Sequence, residues 1–450
     1  MQLASHRNVL RVYPAACLRL PRRGGGAAHG IPGAWCREKG WQGVPENLSQ
    51  ATAGNEQGAV ATAVRTLIEG VRAGEPERAG GLTLIPLMAA TEQVKRQTGY
   101  LPLEVALRRQ LVEVTEQARA TVPELVATST ADEPVVLVGG EQVIGGLQNR
   151  VLNTTILVAA HAVQSIPVTC VEAGRWHDAG ADYGSYAAPN SGDNVTDNIG
   201  NIGNIGNIAQ GPGSATPHER AKARTFSSDE AAYASLRRMH SKSVTASLTS
   251  GGGHRSDQGA VWGEVSARMM STNSYSPSSA MDTLYKSPER ASKLAETMAE
   301  LKRPEGALGF VALVGDAVLG AELFSDEALA DAYWEKLARS YAVEALDAPA
   351  RDEGEGETSE ADAASANAGE ARLLADALAA DIQIHPSPGL GADARLVGGH
   401  ISGAGLVYDG AVVHLSLFPE DDETGASGDP DAALDSEQQL RTQRHFGGHR

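Results

Sequence analysis

Apolar positions along this chain follow two periods, and the change from one to the other marks its elements. Residues 60–72 place Val60, Val64, Leu67, Ile68 and Val71 at helical spacing and predict an amphipathic helix. The pair Gly80-Gly81 precedes a short apolar strand over 82–87; residues 103–109 read as a helical turn and 111–115 as a strand. From 124 to 172 the pattern is β. Runs rich in Val, Ile and Thr over 124–129, 135–138, 142–144, 154–158 and 166–171 alternate with turn residues such as Gly139-Gly140. Helical periodicity returns after 227. Ser227 and Glu230 have capping-box spacing ahead of a helix over 231–242, and Val261, Val265 and Met269 form one stripe within 257–270. Ser287-Pro288 opens a helix carrying Leu294, Met298 and Leu301. A hairpin over 307–314 and 317–324, turned at Gly315-Asp316, leads into a helix capped by Ser325 and running to Ala345. A further helix is expected over 371–380, and a closing β-segment over 394–418 turned at Tyr408-Asp409-Gly410.

Strands, then helices, then strands predict an α+β fold: an antiparallel β-rich N-terminal half, a helical middle and a closing C-terminal β-hairpin. Neither a GxGxxG motif nor a P-loop is present, so a classical nucleotide fold has no support. The expected map is a disordered leader over 1–55, a main domain over 56–346, an acidic linker over 347–369, the closing helix and hairpin over 370–418, and a disordered tail over 419–450. Within the main domain, 178–217 carries a repeated Asn-Ile-Gly tract between 198 and 208 and reads as a disordered insertion.

Composition changes this picture in three places. The net charge is −18, yet residues 347–362 hold seven acids against Arg351 and residues 420–437 hold eight acids and no base. The acidity therefore belongs mostly to linker and tail, and without a basic face a duplex nucleic-acid partner is not expected. Cys17, Cys36 and Cys170 have no metal-ligand spacing, so no metal, cofactor or disulfide framework is expected. No run approaches a membrane span, and the chain reads as cytoplasmic, with an Arg-rich, acid-free stretch over 1–37 read as a leader or an over-extended start.

The candidate chemistry lies between Gly140 and Trp176. Gln148, Asn149, Arg150 and Asn153 cluster between two β-runs, and Glu172, Arg175 and Trp176 close the last one. Amides and guanidinium groups form a fork of donors suited to phosphate, carboxylate or a base edge, and Trp176 offers a stacking surface. Against this stands a purely structural network, with Arg150 paired to Glu141 or Glu172. Glu172 shares a strand face with Cys170 and is a candidate general base, as is Glu141; a salt bridge accounts for either equally well. Cys170 sits in an apolar run with no basic neighbour and reads as core. His414, in an alternating strand, reads as a structural histidine.

This segment resembles the ARG and rhodanese-phosphatase-superfamily-associated protein domain family. The likeness is carried by Gly140-Glu141, the run from Gln148 to Asn153, Pro167 to Glu172, and Gly174-Arg175-Trp176. Downstream it is carried by Gln258 with Val261-Trp262, Gly315-Asp316, and Trp334 with Ser340-Tyr341. It covers roughly residues 80–346 and the strands near His414. The resemblance implies association with ADP-ribosylglycohydrolases and phosphatases, hence a role around ADP-ribose or a related phosphorylated nucleoside. Three functions are consistent with it: a ligand-binding protein, a hydrolase on the same ligand class with Glu141 or Glu172 as base, and a non-catalytic scaffold for a partner enzyme.

Overall fold

A computed structural model describes residues 46–121, 123–146, 148–174, 228, 230–348 and 360–420. Contacts divide the chain into residues 1–54 and 55–450, and the packing below belongs to the second unit. Helix α1 (Glu46–Glu69) is followed by strands β1 (Val71–Ala73), β2 (Glu77–Ala79) and β3 (Leu82–Ala89). Next come β4 (Leu101–Pro102), helix α2 (Leu103–Arg108), and strands β5 (Val112–Thr121), β6 (Glu124–Ser129), β7 (Val135–Leu137), β8 (Gln142–Val143), β9 (Arg150–Leu152), β10 (Ile156–Val158) and β11 (Val163–Cys170). The helical middle comprises α3 (Ala234–Thr249), α4 (Gln258–Ser271), α5 (Thr283–Lys286) and α6 (Pro288–Glu300). Strands β12 (Ala307–Val314) and β13 (Ala317–Leu323), helices α7 (Glu327–Ala345) and α8 (Glu360–Ala379), and strands β14 (Asp381–Pro386), β15 (Ala392–Gly398), β16 (Ile401–Tyr408) and β17 (Ala411–Pro419) complete the order.

The two β-segments at opposite ends of the chain join one sheet. Its strand order is β1-β3-β12-β13-β17-β16-β15-β14, with β2 also on β3, and every pair is antiparallel. The β-rich region over 112–170 builds a separate five-stranded sheet, β5-β6-β11-β9-β8, and a small sheet, β10-β7-β4. Leu87, Leu323, Leu415 and Leu417 of the large sheet are buried with Val64, Leu67 and Ile68 of α1 and with Leu373 and Ala377 of α8. A second core holds α7 (Tyr333, Leu337, Tyr341), Leu84 and Phe310 of the large sheet, Val138, Val151 and Val171 of the smaller sheets, and α3 and α4. The candidate site lies beside this second core, where the three sheets meet.

The structure bears out the α+β class and adds detail that local signals could not carry. The first helix stops at Glu69, and Val71 is buried as a strand residue paired with Ala89; at Gly70 between them a side chain would overlap Val94. The cap of α7 is Asp326, whose Oδ1 accepts from the N–H groups of Ala328 and Leu329, while Ser325 Oγ donates to the Val412 carbonyl. Glu230 pairs with Arg339, and α3 begins later than expected, at Ala234; Ser227 of the expected capping box lies outside the described residues. Helix α8 starts at Glu360, inside the expected linker, and β14 adds a strand ahead of the closing hairpin. The Asn-Ile-Gly tract lies outside the described residues. Among the described residues no helix is long and apolar enough to cross a membrane.

Candidate functional site

The residues singled out from the sequence separate into three groups. Gln148, Asn149, Arg150 and Glu172 come together in one buried network around Cys170. Gln148 Nε2 donates to the Glu172 carbonyl at 2.8 Å and its Oε1 accepts from Cys170 Sγ at 2.9 Å. The Asn149 N–H and Ser278 Oγ donate to the two Glu172 oxygens at 3.0 and 2.7 Å. Arg150 is fully buried and pairs not with Glu141 or Glu172 but with Glu116, at 3.3 Å. Gln258 clamps the backbone of Cys170, accepting from its N–H at 2.9 Å and donating to its carbonyl at 2.7 Å, which docks α4 on β11. Burial pushes the Cys170 thiol up despite Arg150 nearby. Glu141 belongs to a second network: Lys336 Nζ at 2.7 Å, Ser228 Oγ at 2.9 Å and the Val138 N–H at 2.8 Å all donate to it. Arg175 and Trp176 lie outside the described residues.

Among the described candidates, Asn153 lines a small cavity, and the other walls come largely from elements far away in sequence. Side chains two apart on a strand share a face, and paired residues on neighbouring strands stand side by side. In the large sheet Glu322, Ser416, Ala404 and Arg395 are successive partners across β13, β17, β16 and β15. One step along, Asp393, Leu406 and His414 form a parallel row on the same face. Ala404 is the small member of its row, and a cavity of about 30 Å³ opens there, walled by Arg395, Ser416 and Phe418 from the sheet. Helix α3 contributes Arg237, His240 and Ser241, whose i, i+3, i+4 spacing puts them on one helical face. The turns Gly139-Gly140 and Asn153-Thr154-Thr155 close the remaining side. Gly140 is in the left-handed region at φ +88°, and a Cβ there would overlap the Arg237 Cδ, so glycine lets the arginine stem cross the turn.

Two carboxylates organise the walls. Glu322 accepts from Arg237 Nη2, from Tyr341 Oη at 2.7 Å, and from His414 Nε2 and Ser416 Oγ at 2.9 Å each. Burial would raise its carboxyl, but Arg237 and His414 outweigh that and hold it at about 2. Asp393 is likewise held at about 2: burial opposes ionisation, and Arg395 and His254 overcome it. Its Oδ2 accepts from Arg395 Nη2 at 2.7 Å, from Thr154 Oγ1 at 2.9 Å and from His254 Nε2 at 2.8 Å. His240 is pushed down to about 3, by burial first and then by repulsion from Arg395. It is neutral, and its Nε2 lies 3.0 Å from Asn153 Oδ1. Because Asn153 Nδ2 donates to the His254 carbonyl at 2.7 Å, Oδ1 is the acceptor facing His240.

What remains is a set of donors without acceptors. Arg237 Nε and Nη1, Arg395 Nε and Nη1, and Ser241 Oγ are buried and have no hydrogen-bond partner among the described residues. Buried N–H groups of this kind call for a partner. By the measure in which one water needs roughly 10–15 Å³, the cavity holds about two waters or one compact group of similar size. Two guanidinium groups facing one small space match an oxyanion in charge and geometry.

Sequence reasoning reached Asn153 but not Arg237, Arg395, Thr155, Glu322 or Ser241. The available signal was a charge at a core position: Glu322 interrupts an otherwise apolar or small-residue strand, and Asp393 and Arg395 do the same together in β15. Comparison with known proteins matches one family pattern, described as the ARG and Rhodanese-Phosphatase-superfamily-associated Protein domain, to residues 70–192 and 218–418. No curated protein and no solved structure matches the chain.

Proposed function

We propose, from the premise that the chain belongs to the ARG and rhodanese-phosphatase-superfamily-associated protein domain family, that it is a receptor for a small phosphate-type oxyanion. The observation that carries this reading is the set of unpartnered guanidinium N–H groups of Arg237 and Arg395, two residues that line one small cavity. An oxyanion would accept from all of them, whereas each left dry costs about 1–3 kcal/mol of desolvation. The family name couples these proteins with phosphatases, which supports phosphate over carboxylate. A cavity of about 30 Å³ admits one phosphoryl-sized group, so an ADP-ribose-like ligand would engage by a terminal phosphate and not by its base. Glu141 and Glu172 each have both oxygens engaged by donors within networks of their own, so neither serves as the base in this reading.

The test is thermal unfolding of the full chain against inorganic phosphate, with chloride at equal ionic strength as control. Phosphate at 100 times its Kd adds about 2.7 kcal/mol of stability, and Arg395→Met, if folded, abolishes the response. Equal unfolding temperatures in phosphate and chloride up to tens of millimolar would leave the cavity to water and end the proposal.

A further inference from the structure

We infer that the cavity is also reactive: Thr155, His414 and Glu322 form a nucleophile–base–carboxylate relay that takes a phosphoryl group from a small phosphate monoester or acyl phosphate onto Thr155. This deepens the oxyanion-receptor reading and rests on it.

The relay is given by hydrogen bonds. Thr155 Oγ1 lies 2.9 Å from His414 Nδ1, and His414 Nε2 lies 2.9 Å from Glu322 Oε2. The ionised Glu322 can only accept, so a neutral His414 carries its proton on Nε2 and presents the Nδ1 lone pair to the threonine hydroxyl. The Gly139 N–H donates to Thr155 Oγ1 at 3.0 Å and fixes the oxygen from a second direction. Nucleophile, base and orienting carboxylate thus stand in the same logical order as in serine hydrolases, built here on unrelated strands. Thr155 lines the same cavity as Arg237 and Arg395. Their four unpartnered nitrogens exceed the two donors that an acyl-transfer oxyanion needs and suit the three equatorial oxygens of a transferring phosphoryl group. Tyr341 and Ser416 saturate the rest of Glu322, which makes it a positioning residue.

In the first step Oγ1 of Thr155 forms a bond to phosphorus as the bond to the leaving oxygen breaks. The hydroxyl proton passes to His414 Nδ1 and from there to the leaving group or solvent. In the second step water attacks phosphorus and gives a proton to His414. The bond from phosphorus to Oγ1 breaks, Oγ1 recovers the proton, and phosphate is released. No electrons change hands and no further reactant is required.

The probe is acetyl phosphate carrying radioactive phosphorus, of which only the phosphoryl group enters the cavity, incubated with the full chain and quenched in acid. A phosphothreonine ester survives acid, whereas phosphohistidine and acyl phosphates do not. The expected result is acid-stable label on the Thr155 peptide by mass spectrometry. Thr155→Ser carries the label on the serine, Thr155→Val carries none, and His414→Gln labels about a hundredfold more slowly or worse. Circular dichroism and phosphate-induced stabilisation identify which variants remain folded. No acid-stable label on wild type, undiminished label on Thr155→Val, or an unchanged rate in His414→Gln would each overturn the relay. If wild type still gains stability from phosphate in any of these cases, the receptor reading survives alone; if it does not, both fall.

Discussion

His240 gives a quantitative handle on the cavity that does not depend on identifying a ligand. The side chain is 4% exposed and is pushed down to about 3 by burial and by Arg395, against an ordinary value of 6.5. As pH falls below 6.5 the unfolded chain takes up a proton at this position while the folded chain refuses it until about 3. Stability therefore falls with falling pH across that window. One group with these two values costs about 2 kcal/mol between pH 7 and pH 5. The perturbation is His240→Gln, whose amide N–H can still donate to Asn153 Oδ1 but does not titrate. Urea unfolding of both proteins at pH 7, 6 and 5, in buffers free of phosphate and sulfate, isolates the term, because every other titrating group is common to both. The substitution has its own cost at pH 7, and only the divergence of the two curves matters. Wild type should lose about 2 kcal/mol more than His240→Gln on going to pH 5. Parallel curves would mean that His240 is solvated or readily protonated in the fold, and the dry, cation-flanked cavity would be wrong.

Three shorter predictions separate structure from site. Arg150→Met should destabilise by about 3–5 kcal/mol, since it breaks a buried ion pair with Glu116; a folded variant should keep its response to phosphate, and full stability with a lost response would return Arg150 to the binding site. Gly140→Ala should weaken phosphate binding and lower the unfolding temperature, because the new methyl overlaps the Arg237 stem and the backbone is left-handed there; an unaffected variant would mean that Arg237 need not cross the turn as described. With Cys17 and Cys36 changed to serine, Cys170 should resist a thiol reagent in the native protein and react once it is unfolded, since the thiol is buried and pushed up; rapid native labelling would refute its burial.

Element types were legible wherever a periodic run was long enough to state its own period. The stripe Val261, Val265 and Met269 is the buried face of α4, and the Ser287-Pro288 start of α6 is where the chain enters that helix. Boundaries failed where the deciding contact was distant: Val71, expected in α1, pairs instead with Ala89 in the large sheet. The cap of α7 shifted by one because Ser325 is committed to Val412, a partner 87 residues away. The same limit governs the site. The cluster from Gln148 to Asn153 was visible because it is local, and it lies largely in a buried network around Cys170. Arg237 and Arg395 are 158 positions apart and line one cavity only because α3 lies against the large sheet, where Arg237 pairs with Glu322 of β13 and Arg395 belongs to β15. Local donor density in a sequence reports a polar network, and only topology reports whether the donors are left over.

Two arginine–carboxylate pairs in one core are a poor way to gain stability, since apolar side chains of similar volume hold a fold as well or better. Their presence is explained if charge is needed at the cavity, and that explanation makes a prediction about coupling. Glu322→Gln leaves Arg237 a buried cation without its counter-charge and should cost about 3–5 kcal/mol; Arg237→Met strands Glu322 and should cost a similar amount. In the double variant no charge is stranded, and the glutamine amide still meets Tyr341, His414 and Ser416. Its cost should fall below the sum of the singles by about 1–3 kcal/mol, read from a urea double-mutant cycle. The same double variant should fail to gain stability from phosphate, because half of the unpartnered guanidinium donors are gone. Additive costs would mean that the pair is solvated and weak. A double variant that still binds phosphate would show that Arg237 serves the fold alone, and the reason for burying its charge would have to be sought elsewhere.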